Sequence, residues 1–179
     1  MAENRWGPFD LHGKNAVVTG AGHGIGAAIA SAFVQAGAGV IVADLDESRA
    51  KGVAESLLGT GVNVRAATTD VTDPTACRDA VSLAVAELGS CDILVNNAGI
   101  YPYASLQEVT PELFHQILDV NLLGLTYMSQ AAVESMRAGA NGGSIVNLAS
   151  FDAISTSFVG LYAYGASKAA VIGATNHMA

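Results

Sequence analysis

The sequence predicts an α/β fold: a doubly wound parallel sheet of five strands in the order 3-2-1-4-5. Three observations predict it. Short β-branched runs alternate with helical stretches along the chain, the pattern of parallel strands joined by helical crossovers. A glycine cluster directly follows the first strand and opens the first helix. Several polar motifs stand at strand carboxyl ends, where such sheets bind ligands. Right-handed crossovers then fix the strand order, with the reversal between strands one and four.

The elements follow in order. Ala16-Val17-Val18-Thr19 is strand one, ending at Gly20-Ala21-Gly22-His23-Gly24-Ile25-Gly26. An apolar helix runs from about Ile25 to Gln35 and stops at Gly37, a residue suited to a helix end. Val40 to Ala43 is strand two, and Asp44 ends it. A helix over Glu47 to Leu58 leads to strand three, Val62 to Ala67, which ends at Asp70-Val71. Asp73 as cap and Pro74 in the first turn start a helix reaching Leu88. Ile93-Leu94-Val95 is strand four, followed by Asn96-Asn97-Ala98-Gly99. Thr110-Pro111 caps one long helix, Glu112 to Arg137. Ser144 to Leu148 is strand five. The final helix begins near Tyr162 and runs to the last residues.

Composition bounds the function. The chain has 179 residues, 51% hydrophobic and 13% charged. That is enough for one domain with a substantial core, and it suits strands buried on both faces. We take residues 1–179 as a single dinucleotide-binding domain. The net charge of −8 leaves no basic patch, against nucleic acid or an anionic membrane as partner. Met1 to Asp10 does not read as a signal peptide. Asn15 to Ala43 contains no charged residue, yet its six glycines divide it into strand, loop, helix and strand rather than a membrane span. Cys77 and Cys91 form no Cys-x-x-Cys pair, and a reduced, cytoplasmic protein is the expectation. His12, His23, His115 and His177 are scattered without ligand spacing, so no metal is expected.

The chemistry centres on Tyr164-Gly165-Ala166-Ser167-Lys168. A tyrosine and a lysine four apart share one helix face. Tyrosine has an ordinary pKa of about 10, and a nearby ammonium favours its phenolate. Reaching about 7 takes roughly 3 units, about 4 kcal/mol of differential stabilisation, and gives a proton donor and acceptor matched to cellular pH. The Gly20 to Gly26 loop permits close backbone approach to a diphosphate at a helix N-terminus. Its spacing is Thr-Gly-x-x-x-Gly-x-Gly. Asp44, 18 residues past Gly26, can accept hydrogen bonds from ribose hydroxyls and would repel a 2′-phosphate, which favours NAD over NADP. It could instead cap the next helix, a role that Asp46 also fits. Asp70-Val71 either underlies the adenine or is a helix-entry turn. Asn97, with Asn96, reads first as a structural residue whose amide bonds neighbouring backbone. Asn121 interrupts an apolar helix and needs a buried partner, a water or the Lys168 amine. Ser150 follows strand five without a Gly-x-Ser-x-Gly elbow, so no hydrolase nucleophile is read; Ser155 and Ser157 lie nearby. Tyr101, Tyr103, Phe151, Phe158 and Tyr162 could line an apolar pocket.

These motifs together resemble a classical short-chain dehydrogenase/reductase. The match runs from Phe9-Asp10-Leu11-x-Gly13-Lys14 through the glycine loop, Asp44, Asp70-Val71, Asn96-Asn97-Ala98-Gly99, Asn121 and Ser150 to Tyr164-x-x-x-Lys168. The resemblance implies a Rossmann-like domain and hydride transfer between nicotinamide C4 and a secondary alcohol or ketone. It implies Tyr164 as acid–base residue and Ser150 on the substrate oxygen. It also implies Lys168 on the tyrosine pKa and the nicotinamide ribose, and Asn121 in a water-linked proton relay. The expected NAD contacts are Gly20, Gly22, His23, Gly24, Ile25, Gly26, Asp44, Leu45, Asp70, Val71, Asn97, Ala98, Gly99, Tyr164 and Lys168. Expected partners are a small-molecule alcohol or ketone and, in the complete form, a second copy in a homo-oligomer. Two departures from the family pattern stand out. Ser150 and Tyr164 are 14 positions apart, one more than usual, and the family continues past this last helix into further strands and a substrate-covering segment. An oxidoreductase with a C-terminally truncated chain is the first reading. A catalytically weak dinucleotide-binding or interaction protein is the second.

Overall fold

The computed structural model describes residues 7–139, 142–156 and 159–179. Five strands are β1 (Asn15–Thr19), β2 (Gly39–Asp44), β3 (Val64–Thr68), β4 (Ile93–Asn96) and β5 (Ser144–Asn147). Helices α1 (Gly24–Gln35), α2 (Glu47–Ser56) and α3 (Pro74–Leu88) connect the first four. Between β4 and β5 run α4 (Pro111–Leu118), a π-helical turn (Asp119–Gly124) and α5 (Leu125–Ala138). The last helix is α6 (Tyr162–Met178). The strands form one parallel sheet in the order β3-β2-β1-β4-β5, as the alternation predicts.

Alternation along each strand feeds two apolar cores. Val17, Ile41 and Leu94 sit in register on one face and pack with Cys77, Ala84 and Met128 of α3 and α5. Val18, Val42 and Val95 occupy the other face, against Ala30, Val34 and Ala50 of α1 and α2. The central strands are therefore covered on both sides. β5 is an edge, with Val146 at 48% exposure. The uncharged stretch 15–43 is the predicted strand, loop, helix and strand. Among the described residues no helix is long and apolar enough to cross a membrane.

Strand bounds shift by one or two residues, most for the third, which is Val64–Thr68 rather than Val62 to Ala67, and two helical differences from expectation have a structural cause. The second helix stops at Ser56 because Leu57 and Leu58 turn back onto Ala54 and Glu55 through tighter three-residue bonds. The long helix predicted over Glu112 to Arg137 is continuous in direction, but its middle turn is a π-helix. Sequence propensity does not separate the two helix types. Tertiary contacts decide here: Asn121 bonds outside the helix, and Gly124 lies against Val71.

Candidate active site

β1 and β4 are neighbours whose crossovers leave in opposite directions, so a crevice opens past their carboxyl ends. Asn97 and Thr19 hold it in shape. Asn97 Nδ2 donates to the carbonyls of Thr19 and Gly20 at 2.9 and 3.0 Å. The amides of Asn97 and Ala98 both donate to Thr19 Oγ1 at 3.1 Å. The structural reading of Asn97 is the one its bonds describe. A cleft of about 380 Å3 lies over this junction, lined by Gly20, His23, Gly24, Ile25, Asn97, Ala98, Gly99, Tyr101, Leu148, Ala149, Tyr164 and Lys168.

The glycine loop fits a close-approaching ligand, and Gly20, Gly22 and Gly26 all stand where a Cβ has no room. Gly20 has φ +60° and stands against Ala98; a Cβ there would lie 2.9 Å from Ala98 Cα. A Cβ on Gly26 would overlap the Gly20 carbonyl oxygen and lie 2.5 Å from Asn97 Nδ2. The loop thus lies close against the β4 exit, and Gly24 and Ile25 at the start of α1 line the cleft. His23 is the N-cap position of α1 and makes no side-chain capping bond. Ile25 lines the cleft while 68% exposed, and Leu45 is equally exposed beside Asp44.

Asp44 is buried, yet it is not the helix cap. Asp46 caps α2 by accepting the Arg49 amide. The Asp44 carboxylate accepts the Gly22 amide at 2.8 Å and the Asp46 amide at 3.0 Å. Both oxygens are therefore held at the β2 exit, and each keeps lone-pair capacity for a further donor. Asp70 stands in the helix-entry turn, where its carboxylate accepts the Thr72 amide and hydroxyl at 2.9 and 2.7 Å. Val71 is buried against Gly124.

On the opposite wall α6 carries Tyr164 and Lys168 on one face. Lys168 Nζ lies 5.9 Å from the Tyr164 ring centroid and donates to the Leu148 carbonyl at 2.7 Å. Lys168 is buried, which pulls its ammonium below the usual lysine pKa. Tyr101 meets the Tyr164 ring edge-on, centroids 6.1 Å apart. Of the other aromatic candidates, Tyr162 pairs with Phe114 and Tyr103 stands by Gly160; Phe151 is exposed, and Phe158, like Ser157, lies outside the described residues.

Asn121 corrects one expectation. Its bonds run to Ile100 and Ser167 rather than to the Lys168 amine. Nδ2 donates to the Ile100 carbonyl and Ser167 Oγ at 2.9 and 3.0 Å, and Oδ1 accepts the Ile100 amide at 2.8 Å. A buried amide takes whatever backbone lies nearest, and the chain after Gly99 passes directly over it. Gly99 permits the pass: a Cβ there would lie 3.1 Å from Asn121 Oδ1 and 3.5 Å from Lys168 Nζ. The π turn around Asn121 is the kind of helix defect that recurs at functional sites.

The family model for short chain dehydrogenases matches residues 14–179. The chain belongs to the short-chain dehydrogenase family. It is 43% identical to galactitol 2-dehydrogenase of Agrobacterium fabrum, over 94% of this chain and 64% of that enzyme. A short-chain type dehydrogenase/reductase from Mycobacterium marinum superimposes with TM-score 0.91 at 37% identity, covering 96% of this chain and 70% of that one. A 7α-hydroxysteroid dehydrogenase complexed with NADH and 7-oxo glycochenodeoxycholic acid matches at TM-score 0.88 and 30% identity, covering 95% of this chain and 66% of that one. The chain spans less than two thirds of the length of the first curated relatives it matches, 56%, 64% and 63%.

Within this dehydrogenase fold, Ser150 and one residue that sequence reasoning missed share the loop before α6. The Ser150 hydroxyl accepts the Asp152 amide at 3.2 Å and so caps the short turn Phe151–Ala153. Asp152 Oδ2 stands 3.5 Å from the same hydroxyl. The only sequence signal for Asp152 was a carboxylate two positions after the serine. Asn96, Ser129 and Asn147 form a second network that was not foreseen: Asn96 Nδ2 donates to Ser129 Oγ at 3.0 Å and Asn147 Oδ1 at 2.8 Å, tying β4 to α5 and β5.

Proposed function

We propose that the chain is an NAD-dependent oxidoreductase acting on a secondary alcohol or ketone. The carrying observation is the placement of Tyr164 and Lys168 across the cleft from a glycine loop whose Gly22 amide holds Asp44 in place. A bound nicotinamide would supply or accept the hydride. The chain's own residues do the rest. Asp44 accepts the ribose hydroxyls of the adenosine half and disfavours an added phosphate there. Gly20, Gly22, Gly24 and Gly26 let the backbone approach the diphosphate at the α1 N-terminus, with His23, Ile25 and Leu45 at its side. Asn97, Ala98 and Gly99 shape the floor, and Asp70-Val71 flanks the adenine side.

Tyr164 gives a proton to the substrate oxygen in reduction and takes it in oxidation. Lys168 supports the developing phenolate and reaches the nicotinamide ribose. Ser150 steadies the substrate oxygen. Asn121 supports the proton relay by fixing the Ile100 segment over Lys168. The NADH named with the steroid enzyme supports the cofactor choice. The relatives' printed substrates include galactitol and sorbitol as well as steroids, so they leave the substrate open between polyols and apolar alcohols. The test is NADH formation from NAD and a panel of secondary alcohols by the purified chain and by Tyr164→Phe. Turnover abolished in the variant supports the reading. Dinucleotide binding without turnover on any alcohol contradicts it and leaves a dinucleotide-binding protein.

A further inference from the structure

We propose that Tyr101 is a positioning residue for Tyr164, and that residues 100–104 form a strap holding the first turn of α6 in its reactive place. The proposal rests on the acid–base role given above to Tyr164. α6 begins without a side-chain cap, since Leu161 at the N-cap position makes no such bond. An uncapped first turn has unpartnered N–H groups and frays easily. Tyr164 lies in that turn. Its position therefore depends on contacts from outside the helix.

The strap supplies them. Asn121 fixes one end, bonding the Ile100 amide at 2.8 Å and the Ile100 carbonyl at 2.9 Å. Ala104 fixes the other end. Its amide donates to the Gly160 carbonyl at 2.8 Å, and it forms a parallel bridge with Leu161, the residue before α6. Tyr103 packs onto the Gly160 turn, where a Cβ would lie 3.1 Å from its ring. Between these anchors Tyr101 meets the Tyr164 ring edge-on, with centroids 6.1 Å apart and planes at 65°. Both rings line the cleft with Lys168, whose Nζ is 5.9 Å from the Tyr164 centroid. Tyr101 is 65% exposed, so it contributes little to the core. An edge-to-face pair is directional, and it restricts how the Tyr164 ring can turn. Proton transfer needs the hydroxyl within about 2.6–3.2 Å of the reacting oxygen. A displacement of about 1 Å can cost on the order of a hundredfold in rate.

The experiment compares wild type, Tyr101→Leu and Tyr101→Phe. Amide exchange of the 15N-labelled chain reads Gly165, whose N–H donates to the Leu161 carbonyl at 2.8 Å across the first turn. Tyr101→Leu removes the ring pair and should speed Gly165 exchange by about three- to tenfold, the range one aromatic pair supplies. The amides of Val17 and Ile41 should stay as protected as in wild type, which reports that the sheet is intact. Tyr101→Phe keeps the ring and should exchange as wild type does. The second readout is oxidation of butan-2-ol and cyclohexanol with NAD. Tyr101→Leu should lower kcat by about fivefold or more with the KM for NAD unchanged, and Tyr101→Phe should restore it. Unchanged Gly165 exchange in Tyr101→Leu overturns the proposal, whether or not the chain turns over. So does Tyr101→Phe behaving like Tyr101→Leu. A raised KM for NAD with kcat unchanged also overturns it, because Tyr101 is then only a wall of the cleft. Absence of wild-type turnover on every alcohol instead overturns the proposed function, and Gly165 exchange then decides the strap by itself.

Discussion

Replacing Gly22 by alanine tests how the Asp44 carboxylate, the proposed ribose acceptor, is held. A Cβ at Gly22 would lie 2.8 Å from both Cγ and Oδ2 of Asp44, and 2.7 Å from Arg49 Cβ. Ordinary carbon contacts are about 3.5–4.0 Å, so Asp44 must withdraw by about 1 Å. That movement breaks the 2.8 Å bond from the Gly22 amide. A hydrogen bond to a charged group contributes about 1.5–3 kcal/mol. Gly22 is not among the glycines with positive φ, so backbone strain adds nothing to the crowding against Asp44 and Arg49. We expect about 2 kcal/mol less stability by urea unfolding and an NADH affinity lower by about tenfold or more by calorimetry. The natural control is Gly52→Ala in α2. Nothing lies within 4 Å of its Cβ, and alanine should stabilise the helix by about 0.5–1 kcal/mol with NADH affinity intact. A folded Gly22→Ala chain that binds NADH as tightly as the parent would refute the reasoning.

Other perturbations have equally definite outcomes. Asn97→Ala leaves the Thr19 and Gly20 carbonyls without their side-chain donor, and urea unfolding should show about 2 kcal/mol lost. Cys77 and Cys91 are buried free thiols, raised by burial to about 11 and about 12 from 9.0. They should resist a thiol reagent until the chain unfolds. Because unfolded thiols ionise first, their contribution is complete below pH 9 and is lost as pH rises through the folded values. Cys91→Ala should weaken that alkaline loss in pH-dependent urea unfolding. Lys168 titrates the other way. Its folded pKa lies below 10.5, so its burial penalty is full at neutral pH and fades as pH climbs towards 10.5. The stability of wild type relative to Lys168→Met should therefore rise with pH, and a flat difference would contradict the buried-ammonium account.

The fold was legible because its signals are local. The β-branched runs from Ala16 and Val40, the Asp73-Pro74 and Thr110-Pro111 starts and the glycine loop each act within a few residues. Placement was legible where spacing on a helix or a strand end fixes geometry, as for Tyr164 and Lys168 on one face of α6 and Asp44 at the end of β2. It was not legible where a side chain chooses among distant partners. Asn121 could be seen to need a partner, but Ile100 and Ser167 become its neighbours only after the chain crosses above the π turn. Asp152 and the Asn96 network depend likewise on loop and strand placement that composition does not encode.

The most direct test is thermal unfolding of the purified chain with saturating NADH and, separately, NADPH. A ligand at a hundred times its dissociation constant stabilises by about 2.7 kcal/mol. On the proposed role of Asp44 as acceptor of the adenosine ribose hydroxyls, we predict that shift with NADH and little or none with NADPH. Equal stabilisation by both, or by neither, would contradict the account.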